Sequence, residues 1–170
     1  ISFSKKGIEV NEYLQSKSNA NIYSAGDAAD SRGLPLTPVA VLEGHVVASN
    51  IIKGNKKKVS YPPMPSVVFT LPTMATVGLL EDDAKEKGYD INVNFEKVDN
   101  WFNARRLNVD EYAYKTIIDK NNNTILGAHL IGPHCEETIN LFAMAIKTKM
   151  TISDLRTMIF SYPTMASDLT

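Results

Sequence analysis

At 170 residues, with 44% hydrophobic side chains, the chain is long enough for one full domain, or for one domain and part of another. Its 18 basic and 19 acidic residues leave a formal net charge of -1, which offers no electrostatic footprint for nucleic acid or an anionic membrane. A single cysteine, Cys135, excludes an internal disulfide and a Cys-Xaa-Xaa-Cys redox pair and suits a reducing cytoplasm, and no apolar run approaches the ~20 residues needed to cross a bilayer.

Short strands are expected around Ile8–Val10 and Ile22–Ala25. The second runs into "SAGDAAD", where Gly26 turns the backbone and Asp27 presents a carboxylate past the strand end. Such a turn lets the backbone approach a ligand, and the carboxylate accepts hydrogen bonds from a sugar or polyol. The residues before it hold no Gly-rich phosphate loop and no signal-peptide pattern, and Ile1 falls in mid-pattern, so a cut N-terminus is expected. A helix is predicted from about Pro38, which suits a first turn, to Gly54. Val39, Leu42, Val46, Val47 and Ile51 form its apolar face. Two short strands and one helix cannot enclose a core, so this part is expected to lean on something else. Lys56–Lys58 reads as a solvated loop.

Three prolines in "YPPMP" break regular structure. Beyond them "SVVFT" and "ATVGL" read as strands around the turn "LPTM", and "EDDAKEKG" as a short helix with acids in its first turn and Gly88 as C-cap. "INVNFEKV" alternates with period two. "YAYKTIID", "KNNN" and "TILGAHLIG" make an antiparallel hairpin. "EETINLFAMAIKTK" places Ile139, Phe142, Ala143 and Ile146 on one helical stripe, and Thr151 or Ser153 caps a further helix in "TISDLRTMI". The predicted class is α+β: an antiparallel sheet with helices packed on it.

The order "NIYSAGDAAD", "LTPVAVLEGHVVASNI", "PSVVFTLPTMATVGL", "KTIIDKNNNTILGAHLIG", "YPTMASD" resembles the C-terminal part of the flavoprotein disulfide reductases, the family of glutathione reductase, dihydrolipoamide dehydrogenase and mercuric reductase. The resemblance implies that residues 1–61 are the end of an FAD-binding domain and residues 62–170 a dimerisation domain. The family's phosphate loop, redox-active cysteine pair and NAD(P)H domain would all lie upstream. It also implies that Asp27, beside Gly26, binds the ribityl chain of FAD. The helix start at Thr37, Pro38 and Val39 then faces the flavin's pyrimidine edge with its backbone N–H groups, where the helix dipole favours negative charge. Read from the residues alone, Asp27 caps a turn and Thr37 caps a helix.

The final motif departs from the family. Where the family has His-Pro-Thr and, shortly after, a glutamate that orients the histidine, this chain has Tyr162, with Ser167 at the glutamate's place and Asp168 next to it. Histidine suits thiol acid–base work because it titrates near neutral pH, whereas tyrosine, with an ordinary pKa of about 10, donates a proton. Both members of the pair have changed. A substrate other than a disulfide, proton donation by Tyr162 with Asp168 nearby, and simple packing of Tyr162 at an interface all stay open. His129 is read as structural and His45 as a surface or interface residue. The neighbours His134 and Cys135 lack further ligands for a metal. In the family "WFNARRLN" corresponds to a connection, so it is read as a structured loop.

The expected parent is a cytoplasmic FAD-dependent NAD(P)H oxidoreductase acting on a small molecule, with a cofactor-free interaction module as the alternative. The chain alone is expected to be inactive and not to retain FAD. Residues 1–61, with Ile8, Ile22, Val39 and Val46 exposed, are expected to be the weaker part. A homodimer through residues 136–168 is expected, because Met144, Met150, Leu155, Met158, Ile159, Phe160 and Met165 exceed what one sheet face covers.

Overall fold

The period-two stretches after the prolines assemble into one sheet. The computed structural model describes residues 1–169 and divides into two units, Ile1–Pro62 and Pro63–Thr170.

In the first unit β1 (Phe3–Ser4) and β2 (Gly7–Glu9) pair antiparallel, and β3 (Ala29–Asp30) adds to β2 in parallel. The strand expected at Ile22–Ala25 does not form. Tyr23 makes only an isolated bridge to Gln15, and the place beside β2 is taken by Ala29–Asp30, after the turn at Gly26. Helix α1 (Thr37–Lys53) runs as predicted to Gly54, whose φ of +69° ends it at low steric cost. Its buried row is Val39, Glu43, Val46 and Asn50. Ile51 is exposed, because a 3.6-residue period carries Asn50 inward in its place. Asn50 earns that position by donating to the carbonyls of Tyr13 and Lys57 at 3.0 and 2.8 Å and accepting from the Lys57 N–H at 2.9 Å. Contrary to expectation, this unit does enclose a small core of Val10, Leu14, Ala29 and Val46, flanked by Ile8, Val47 and Val59. Val39 and Val46 are buried, not exposed.

The second unit is an antiparallel sheet in the order β4 (Ser66–Val68), β5 (Met74–Gly78), β8 (Ile125–Ile131), β7 (Ala113–Asp119), β6 (Ile91–Lys97). The β7–β8 hairpin pairs Ala113 with Ile131 through Ile117 with Gly127, and a bulge follows Ile117. At Gly127 any Cβ would strike the Leu79 carbonyl, so glycine is required where β5 leaves the sheet. Helix α4 (Cys135–Lys147) covers one face, burying Ile139, Phe142 and Ala145 against Ala75, Val77, Ala128 and Leu130. Helix α5 (Ile152–Arg156) starts at a reciprocal capping box between Thr151 and Asp154 and adds Leu155 to the same core. On the other face α2 (Glu81–Glu86) is tied to β7 by Glu81 and Lys115 at 2.6 Å. Hydrogen bonds and charge from Lys115 and Lys85 hold the Glu81 carboxyl down at about 2.

Two further expectations are corrected. "WFNARRLN" contains a helix, α3 (Phe102–Leu107), closed by left-handed Asn108, with Asn103 and Ala104 turned inward. Of the apolar surplus near the C-terminus, Leu155 and Met165 belong to the core, while Met144, Met158 and Ile159 are exposed.

Ile139 has no exposed surface, so Ile139→Ala should lower the stability of the second unit by about 2–5 kcal/mol in urea unfolding. The smaller core of the first unit should also show in amide exchange, with α1 losing protection before β7 and β8.

Candidate functional site

Asp27 lies in a single 3-10 turn, Gly26–Ala28, and its carboxylate is exposed. It makes no hydrogen bond among the described residues. The turn is pressed against α1, since a Cβ on Gly26 (φ +62°) would sit 2.8 Å from the Ala40 Cβ. What fixes it is Glu43, fully buried on α1. Its two oxygens accept from the Gly26 N–H at 2.6 Å, the Ser31 hydroxyl at 2.6 Å and the Tyr61 hydroxyl at 2.5 Å. Burial, and then the hydrogen bond to Glu43, push the Tyr61 phenol up to about 12.

Thr37 and Pro38 at the head of α1 are exposed, while the Val39 side chain points into the unit's interior. The helix starts at Leu36 with no side-chain cap and no acid in its first turn. Its leading N–H groups therefore keep their capacity for an external acceptor. The structure thus brings Gly26, Asp27 and the α1 start together on one unit. Val39 can contribute only through its backbone.

In the second unit Tyr162 is 68% exposed and its ring stacks on Phe102 at 5.5 Å and 33°. Asp168 does not pair with it. One Asp168 oxygen accepts from the Asn103 amide at 2.8 Å and the other from the Tyr112 hydroxyl at 3.0 Å. The same Asn103 amide also donates to the Thr164 carbonyl at 3.0 Å. Ser167, at the glutamate's place, donates to the Thr164 carbonyl at 2.6 Å. Burial, reinforced by the neighbouring Asp168 charge, raises the Tyr112 phenol well above its ordinary range. Asp168 is thus the anchor of the loop that carries Tyr162.

Glu43, Asn103 and Tyr112 went unread in the sequence. Glu43 had a signal, an acid on the row of Val39 and Val46; Asn103 had none, because its partners lie 61 and 65 residues further on. The remaining candidates are structural in character. His129 is half-buried between Thr76 (2.6 Å) and the Leu79 carbonyl (3.2 Å), and desolvation lowers its pKa. His45 is exposed. The Cys135 thiol is buried, donates to the Thr73 carbonyl at 3.1 Å, and is pushed up by desolvation. Among the described residues no group of three or more His, Cys, Asp or Glu is placed to hold a metal, and no helix is long and apolar enough to cross a membrane.

A five-stranded antiparallel sheet with a long helix on one face, closed by a Pro-Thr loop, defines an α+β dimerisation domain of the flavoprotein reductase type. The chain belongs to the pyridine nucleotide-disulphide oxidoreductases, whose dimerisation domain matches residues 64–170. It is 53% identical to an uncharacterized 19.7 kDa protein in the mercuric resistance operon of Staphylococcus aureus, over 97% of this chain and 92% of that one. It is 37% identical to a mercuric reductase of Staphylococcus aureus over 97% of this chain but 30% of the reductase. Among solved structures, the HOCl-induced flavoprotein disulfide reductase RclA from Escherichia coli superposes with a TM-score of 0.84 at 29% identity. That match covers 99% of this chain and 39% of RclA. The chain therefore spans nearly all of one relative and about a third of the reductases.

Because the native state holds the Tyr112 proton more tightly than the unfolded chain, its contribution to stability is intact below about pH 10 and is lost as pH rises further. Unfolding in urea from about pH 8 to about pH 11 should show wild type losing stability more steeply than Tyr112→Phe. At pH 7 Tyr112→Phe, which leaves Asp168 short of a donor, should cost roughly 1–2 kcal/mol.

Proposed function

We propose that residues 1–61 are the last part of an FAD-binding domain and residues 62–170 the dimerisation domain of an FAD-dependent NAD(P)H oxidoreductase. NAD(P)H enters as co-substrate through a domain outside these residues. The observation that carries this reading is the match of nearly the whole chain, both units in order, to a flavoprotein disulfide reductase. The first unit fits the cofactor. Asp27 offers two unengaged carboxylate oxygens for ribityl hydroxyls, and the uncapped head of α1 at Thr37, Pro38 and Val39 offers backbone donors for a flavin edge. FAD, when bound, supplies the two-electron chemistry. Glu43 holds the Gly26 turn so that Asp27 stays in place without a rearrangement on binding.

In the second unit Tyr162 Oη holds a proton and gives it to a small-molecule substrate, with the ring oriented by Phe102. Asp168 acts through the loop, not on Tyr162 directly. A phenol in place of an imidazole disfavours a thiolate base and suits a substrate other than a disulfide. The protein is a homodimer through residues 136–168, where Met144, Met158, Ile159 and Tyr162 are 66%, 45%, 100% and 68% exposed. The buried, unoxidised thiol of Cys135 suits a cytoplasmic setting.

Alone, residues 1–170 should show no saturable FAD binding in the micromolar range, since a few hydrogen bonds of about 0.5–1.5 kcal/mol each do not offset the cost of ordering the ligand. Nanomolar binding would contradict this. In sedimentation the chain should run as a dimer, and Ile159→Glu should yield monomers; a wild-type monomer removes the dimer assignment. Grafted in place of the matching segment of a mercuric reductase, the chain should give a yellow protein that Asp27→Ala bleaches. In that chimaera Tyr162→His should raise disulfide reduction by about a hundredfold. A colourless chimaera, or flavin held equally by Asp27→Ala, sinks the flavin reading and leaves the cofactor-free interaction module.

A further inference from the structure

Between the α4–α5 layer and the β6–β7 end of the sheet lies a cavity of about 500 Å3, within the range of small-molecule sites. It belongs wholly to the second unit and stands apart from the flavin reading. Buried Leu130, Phe142 and Leu155 give it an apolar lining. Trp101 and Tyr114 form an aromatic wall, their ring centres 5.9 Å apart and tilted by 41°.

Two polar groups in this lining lack partners. Thr116 is 4% exposed, lines the cavity, and its hydroxyl makes no hydrogen bond among the described residues. Arg156, at the end of α5, is exposed at the cavity's edge and makes no side-chain hydrogen bond or ion pair among the described residues. The carboxylates nearby are engaged: Asp168 by Asn103 and Tyr112, and Glu96 by the Tyr114 hydroxyl at 2.8 Å. The cavity thus combines an aromatic wall, an apolar lining, one hydroxyl and one exposed guanidinium.

We propose that this cavity is a binding site for a flat aromatic acid. The ring lies against Trp101 and Tyr114, as aromatic pairs prefer offset or tilted contact. The anionic group takes the planar fork of Arg156, which matches a carboxylate bidentately. A ring substituent or carboxylate oxygen accepts from Thr116. Aromatic carboxylates and sulfonates share this chemistry.

Trp101 is the only tryptophan in the chain, so its fluorescence reports the wall directly. The test titrates the whole chain with 1-anilinonaphthalene-8-sulfonate and, separately, with benzoate and 1-naphthoate. The expected result is saturable quenching of Trp101 at one ligand per chain by the naphthyl acids. Arg156→Gln should weaken binding by ten- to a hundredfold and Thr116→Val by a few-fold, each with an unchanged thermal midpoint. Arg156→Lys, which keeps the charge without the fork, should fall between. N-phenyl-1-naphthylamine, uncharged, should bind at least tenfold more weakly. The exposed apolar side chains elsewhere are the rival site, so Ile159→Glu should leave the titration untouched. Equal binding by Arg156→Gln, equal binding of the uncharged probe, loss of binding in Ile159→Glu, or no Trp101 quenching up to about 1 mM would each overturn the proposal.

Discussion

Strand β8 has a neighbour on both edges, β5 on one side and β7 on the other, and α4 packed over one of its faces. A strand so placed must match all of its backbone donors and acceptors to neighbouring strands, because water cannot reach them. The rest of the second unit follows from that requirement. The register that satisfies β8 puts Ala128 and Leu130 on one face, so that face needs a lid, and the stripe of Ile139, Phe142 and Ala145 on α4 provides it. His129 points the other way and is satisfied locally by Thr76 and the Leu79 carbonyl.

Periodicity carried the strands and long helices because burial on one face leaves a repeating mark in the sequence. The hairpin of β7 and β8 and the stripe of α4 were legible for that reason. What was not legible is of another kind. Ile22–Ala25 is as apolar as a strand, yet whether it pairs depends on which segment reaches the β2 edge, and Ala29–Asp30 reaches it. The helix at Phe102–Leu107 is too short to show a period, and one of its two inward residues is an asparagine. Glu43 and Asn50 sit on the buried row of α1, where a rule that sends polar residues outward misplaces them.

The same distinction governs the candidate site. Asp27 and Tyr162 were found because a turn and a motif announce themselves over a few residues. Their supports were not, because Glu43 gathers Gly26, Ser31 and Tyr61, and Asn103 gathers Thr164 and Asp168, across stretches that no local pattern connects. A buried carboxylate with three donors and a buried amide with two acceptors are costly groups until every partner is present. Each therefore specifies one arrangement of the backbone around it, and a candidate site residue, Asp27 or Tyr162, rides on that arrangement.

The separation of Asn103 from its partners has a consequence during synthesis. Its amide waits for a carbonyl 61 residues later and a carboxylate 65 residues later. A chain emerging from a ribosome exposes β6, α3 and the hairpin before those acceptors, so the amide stays unmatched until the Thr164–Asp168 segment arrives. The segment carrying Tyr162 thus docks after the sheet has been made, and a chain lacking Thr164 and Asp168 would leave an unmatched amide in the interior.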